Sequence, residues 1–140
     1  MKTKEKILIG GKALVELGSS RSTNDTDYLI NDTETNDMFI IDKKNNIDYL
    51  NANGNKFFNE IFSKEKGNKT ASAQSLFELK AFAFVQHCQN FKFQKVADCE
   101  FDLKFLSINF DIESAPIVKE YIAPNEYLEI LKIIASSKLK

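Results

Sequence analysis

Ligands for a soft metal are scarce in this 140-residue chain. Cys88 and Cys99 are the only cysteines, they lack CxxC spacing, and His87 is the only histidine, so a four-ligand structural zinc site cannot be assembled from them. By the burial habit of their type, the cysteines read as reduced core thiols of a cytosolic protein. His87 and Cys88 are adjacent in a helical pattern that turns neighbouring side chains about 100° apart, which excludes a nucleophile-and-base pair. Excess charge is also missing. Lys+Arg 19 against Asp+Glu 20 leaves a net charge of -1, without the broad positive field of a dedicated nucleic-acid binder, although a local basic patch remains open. No run reaches about 18 apolar residues, so a membrane span is not expected. The opening MKTKEK and the following ILIGGKALVEL have the outline of a leader, but Lys12 and Glu16 interrupt the apolar run and no small-residue cleavage site follows; a cytoplasmic location is expected. Internal repeats and low-complexity linkers are absent, and the length suits one domain.

What is present divides into a strand-rich half, residues 1–54, and a mainly helical half, residues 55–140. Residues 6–9 form a short apolar run suited to a buried strand, ended by Gly10-Gly11. Ala13, Leu14 and Leu17 recur at helical spacing, with Gly18 and two serines as a stop signal. Residues 25–30, DTDYLI, alternate and predict a second strand with Asp25 and Asp27 on one face. Residues 38–41 and 47–50 predict two more strands joined by a hairpin turn at 42–46. Asp48 stands in the middle of the last of these, where a lone carboxylate demands a reason.

Phe57, Phe58, Ile61 and Phe62 predict a helix of about ten residues. Thr70 or Ser72 can cap the next, which runs to about Asn90 and is apolar nearly all round, with Lys80 as a long cation inside it. Residues 91–109 mix helical and alternating patterns and are expected to be mostly helix. Pro116 and Pro124 stand where proline starts a helix, and Tyr127, Leu128, Leu131 and Ile134 predict an amphipathic stripe ending in SSKLK. The fold class expected is α+β: a small mixed sheet followed by packed helices.

Spacing separates three readings of the glycine pair. A P-loop needs GxxxxGK[ST], but Lys6 stands five before Gly11 and Ala13 follows Lys12, so the loop and its metal-binding hydroxyl are both missing. A dinucleotide fingerprint needs GxGxxG, and Gly10-Gly11 followed next by Gly18 cannot build that turn. The third reading is a strand, a glycine pair, a helix and then Asp-x-Asp, with 13 residues between Gly11 and Asp25. Here the chain resembles the nucleotidyltransferase superfamily related to DNA polymerase β. Its pattern is a hydrophobic residue, Gly-Gly or Gly-Ser, a short interval, Asp-x-Asp, and a third carboxylate on a later strand. The wording GGKAL…RSTNDTDYL is most similar to the small abortive-infection and toxin-antitoxin branch. The likeness covers residues 7–50, and Thr26 departs from it by standing where an apolar residue is usual.

The resemblance implies transfer of an NMP group from an NTP to a hydroxyl acceptor, on RNA, protein or a small molecule. It assigns Asp25, Asp27 and Asp48 to Mg²⁺, with two ions expected. Asp42 is the alternative third carboxylate if the hairpin register differs. Gly10, Gly11 and Lys12 would receive phosphate, Arg21 phosphate or base, and Lys80 the nucleotide. A different expectation is a catalytically silent member acting as a binding or regulatory protein with a cognate protein partner.

Overall fold

A computed structural model describes residues 5–138. Residues 1–4, part of the opening with the outline of a leader, and residues 139–140, the last two of SSKLK, lie outside the described residues. The fold is α+β, with a four-stranded mixed sheet and six helices among the described residues. The strands are β1 (Lys6–Ile9), β2 (Thr26–Ile30), β3 (Phe39–Asp42) and β4 (Ile47–Asn51). The helices are α1 (Gly10–Glu16), α2 (Lys56–Glu65), α3 (Ala73–Gln89), α4 (Phe93–Asn109), α5 (Pro116–Lys119) and α6 (Pro124–Lys138). Two compact units result, one ending at Ser72 and the other beginning at Ala73. Helix α2, grouped by sequence with the helical half, belongs to the first.

In the first unit the strand order is β1-β2-β4-β3. β2 runs antiparallel to β1 and parallel to β4, while β3 and β4 form the expected hairpin, with Asp42 opposite Ile47 and Asn46 at φ 54 in its turn. Because β4 inserts between β2 and β3, the 31–38 connection crosses the end of β4. Asn51, fully buried, fastens it there. Its Oδ1 accepts from Asp32 N at 2.8 Å and Asn53 N at 3.2 Å, and its Nδ2 donates to the carbonyls of Asp32 (3.2 Å), Thr35 (3.3 Å) and Asp37 (3.0 Å). A buried amide so fully engaged stabilises because none of its polar atoms is left without a partner.

Rung by rung, Ile7, Ile9, Asp27, Leu29, Asp48 and Leu50 share one sheet face. Ile7 and Leu29 are fully buried on it with Ile9 nearly so, and α2 meets the same face, Phe58 lying edge-on to Phe39 at 6.1 Å. α2 starts because Asn55 Oδ1 accepts from Phe58 N at 3.0 Å, and it buries Phe57, Phe58, Ile61 and Phe62 at helical spacing. The other face carries Tyr28 stacked on Tyr49 at 6.1 Å, with Lys6 Nζ 4.6 Å from the Tyr28 ring centre. Glu65 at the end of α2 is buried, and its carboxylate accepts from Ser72 N (2.9 Å), Ser72 Oγ (2.7 Å) and Asn68 Nδ2 (3.1 Å).

The second unit is helical, and α3 buries Leu76, Phe77, Leu79, Phe84 and Val85. It also buries Glu78, fully, whose carboxylate accepts from Val118 N at 2.8 Å and Ile117 N at 3.3 Å. This capping of α5 satisfies backbone donors that a helix start otherwise leaves open. The expected stripe of the last helix shifts: Tyr127, Ile130, Ile133 and Ile134 are buried, whereas Leu128 is 56% exposed and Leu131 half-buried. The buried set follows the i, i+3, i+6, i+7 ridge, and Leu128 lies off it.

Candidate functional site

The glycine pair sits where β1 runs directly into α1, with no intervening loop. Gly10 adopts φ +69, a conformation that L side chains rarely take, and a Cβ there would press into the Asp27 carboxylate, 2.9 Å from its Cγ. At Gly11 a Cβ would stand 2.9 Å from Thr23 Oγ1. The pair therefore brings bare backbone against Asp27 on one side and Thr23 on the other. α1 has seven residues, and Ile9 at its N-cap makes no side-chain cap. Its end is well made: Gly18 at φ +106 donates to Val15 O at 3.0 Å, and Ser19 N to Leu14 O at 3.0 Å. These are the two bonds of a Schellman motif, and they turn the chain back. Ser19 Oγ then accepts from Arg21 N at 3.3 Å.

The turn places Arg21 across from α1. Lys12, Val15, Glu16, Arg21 and Thr23 line one groove of about 450 Å³. Two expected phosphate-binding cations, Lys12 and Arg21, thus share a concavity beside the residue that contacts Gly11. Thr23 was not singled out from sequence; its only signal was a hydroxyl in the polar link between helix and Asp-x-Asp.

Asp27 and Asp48 are register partners on the parallel strands β2 and β4. Their side chains project from the same face of strands about 4.8 Å apart. Asp42 does not share that rung: it lies opposite Ile47, and its carboxylate accepts from Asn45 N at 3.3 Å and Asn45 Nδ2 at 2.8 Å, closing the hairpin turn. Asp48 is therefore the rung partner of Asp27. Asp25 stands one residue before β2 and is exposed, and its carbonyl accepts from Thr23 Oγ1 at 3.2 Å. The expected strand was one residue too long at this end, because β2 begins where Thr26 N donates to Asn46 O at 3.0 Å.

The chain matches no family model, no curated protein and no solved structure. Magnesium keeps several waters and is usually held by one or two carboxylates together with substrate phosphate oxygens. The Asp27–Asp48 rung is a donor set of that kind. Among the described residues no group of three or more His, Cys, Asp or Glu side chains is placed to hold a metal ion. A magnesium ion at that rung would need water and phosphate oxygens to complete its shell.

Lys80 belongs to the second unit. Its ammonium lies 3.2 Å from Asp102, whose side chain is 1% exposed, while Lys80 itself is 21% exposed. The cation inside the apolar helix thus meets an anion on α4. His87 and Cys88 lie near the end of α3. Burial, then the charges of Lys95, Lys92 and Lys80, hold His87 below its usual value. Burial, with Glu126, Glu129 and Glu100, pushes the Cys88 thiol up. A thiol held in its protonated form is poorly suited to nucleophilic work at neutral pH. Cys99 is buried, as expected of a core thiol, whereas Cys88 is exposed. A further groove of about 410 Å³, lined by asparagines and Lys56, lies by the far ends of β2 and β4. Part of its amide capacity is spent internally, since Asn53 Nδ2 donates to Thr35 O and Asn55 Oδ1 caps α2.

Proposed function

We propose that the first unit binds a nucleoside triphosphate with Mg²⁺ and transfers its nucleotidyl group to a hydroxyl acceptor. The observation that carries this reading is the Asp27–Asp48 rung with Gly10 backed against Asp27. The Lys12–Arg21 groove beside Gly11 supports it.

In this reading Asp27 and Asp48 would hold the ion, which when bound would supply neutralisation of phosphate charge. Lys12 and Arg21 receive the β- and γ-phosphate oxygens, while the missing side chains of Gly10 and Gly11 let Asp27 and Thr23 close against the backbone beside them. Asp48 accepts the hydrogen bond of the acceptor hydroxyl and takes its proton as the oxygen attacks the α-phosphorus. The new O–P bond forms while the bond to the leaving pyrophosphate breaks. The charge that develops on pyrophosphate falls to Lys12 and Arg21. Positioning and charge neutralisation, rather than covalent chemistry by the protein, drive such a step.

A second reading is a catalytically silent nucleotide-binding or regulatory protein. The exposed position of Asp25 before β2, together with the absence of a three-carboxylate group among the described residues, favours it. Calorimetry with each NTP, with and without Mg²⁺, tests what the two readings share. Magnesium-dependent binding is expected, and Asp27→Asn with Asp48→Asn should abolish it; binding indifferent to both changes would sink both readings. Labelled NTP incubated with cell extract then separates them. Magnesium-dependent label transfer that Asp27→Asn removes marks the transferase, and binding without transfer marks the silent protein.

A further inference from the structure

Helix α4 is apolar on two opposite sides. Cys99, Leu103 and Leu106 are buried on one. On the other, at about 100° per residue, Phe93, Ala97, Phe101, Phe105 and Ile108 fall within an arc of roughly 120°, which also takes in Gln94, and span about 22 Å. Phe93 is 74%, Phe101 52% and Ile108 57% exposed, and Phe91, just before the helix, is 74% exposed with its ring 6.4 Å from that of Phe93. At roughly 200 Å² per phenylalanine side chain, Phe91, Phe93 and Phe101 alone leave on the order of 400 Å² of apolar surface open to water.

We propose that this stripe docks against the same stripe of a second copy of the chain, α4 running antiparallel to α4 about a two-fold axis at the level of residue 102. Charge complementarity points to a second copy. Glu100 lies just outside one edge of the stripe and Lys104 just inside that edge, 3.0 Å apart and half in solvent. Antiparallel pairing about residue 102 sets Glu100 opposite Lys104 of the other copy and Lys104 opposite Glu100, so the flank is its own complement. Shape agrees: Phe101 meets its equivalent close to the axis, and Ile108 falls beside the other copy's Ala97, large against small. Such a contact is isologous and closes at two copies. With Ala97, Ile108 and the flanking stems, it approaches the roughly 600–800 Å² per partner of a modest stable interface, for which dissociation in the micromolar range is expected. The inference stands apart from the proposed function, because it uses none of the same residues.

Sedimentation equilibrium of the full chain tests it. The expected result is a concentration-dependent rise from the 16.0 kDa monomer mass to twice that value. Phe101→Glu should weaken association by about tenfold or more, with the far-ultraviolet dichroism unchanged because the ring is exposed. Lys104→Glu, which sets carboxylate against carboxylate across the axis, should weaken it as well. The double variant Glu100→Lys/Lys104→Glu restores alternating charge and should restore the dimer. A monomer at all concentrations up to several hundred micromolar overturns the proposal. So does a dimer indifferent to Phe101→Glu, or a double variant no better than Lys104→Glu alone.

Discussion

Gly10 and Gly18 both hold positive φ, but only Gly10 has something pressed against its missing side chain. Alanine at Gly18, with nothing within 4 Å of the new methyl group, should cost only the backbone term, about 1–2 kcal/mol by chemical denaturation. Gly10→Ala adds the displacement of Asp27, so it should lower stability further and remove magnesium-dependent nucleotide binding, which Gly18→Ala leaves intact. Asn51→Ala, by leaving several buried partners unmatched, should cost about 2–3 kcal/mol. His87 titrates lower in the folded protein than in the unfolded chain. Its contribution is therefore fully present above the unfolded value near 6.5 and shrinks as pH falls below it, levelling off under the folded value. His87→Gln should flatten that part of the stability profile, measured by denaturant midpoints between pH 7 and pH 5. At this scale the sequence was partly legible. The spacing of Gly10-Gly11 and Asp27 marked residues that do meet, because a strand, a short helix and a returning strand leave little freedom. Glu78 was silent, since the backbone donors of Ile117 and Val118 that it accepts from stand 39 and 40 residues further along the chain.

At the level of elements, periodicity was legible wherever one face is buried. The ten residues of α2, the hairpin turn between β3 and β4, and the proline starts of α5 and α6 stand where the patterns put them. The exceptions share a cause. In α6 hydrophobic residues are dense enough to draw two stripes, and packing chose the one through Ile130 and Ile133. Ile130→Ala should cost about 3 kcal/mol, whereas Leu128→Ala should stay within about 0.5, a contrast that thermal or denaturant melts resolve. α4 mixed its patterns because it is apolar on both sides, and no single period describes such a helix.

At the scale of the molecule, the residues of the proposed nucleotide site lie in the unit ending at Ser72, and Lys80 lies in the other. Lys80 is engaged by the buried Asp102. Lys80→Ala should therefore destabilise the fold by about 2–3 kcal/mol, because it strips a buried carboxylate of its cation. Nucleotide affinity, read on the folded variant, reports separately on the nucleotide role that the resemblance implies for Lys80. Denaturation and calorimetry on the same variant separate the two effects.

The 31–38 crossing also determines where this chain can be lengthened. Asn51 holds three carbonyls and one amide of that segment, so added residues there would have to break the set before being accommodated. The tip at 43–45 is exposed and is closed by Asp42 and Asn45, while Asn46 beyond it is held by Thr26 N. An epitope or fluorophore tag belongs at the tip, where an insertion costs little more than the closure of a longer loop. Grafted into the crossing, the same tag would unfasten the end of β4 and with it the strand that carries Asp48.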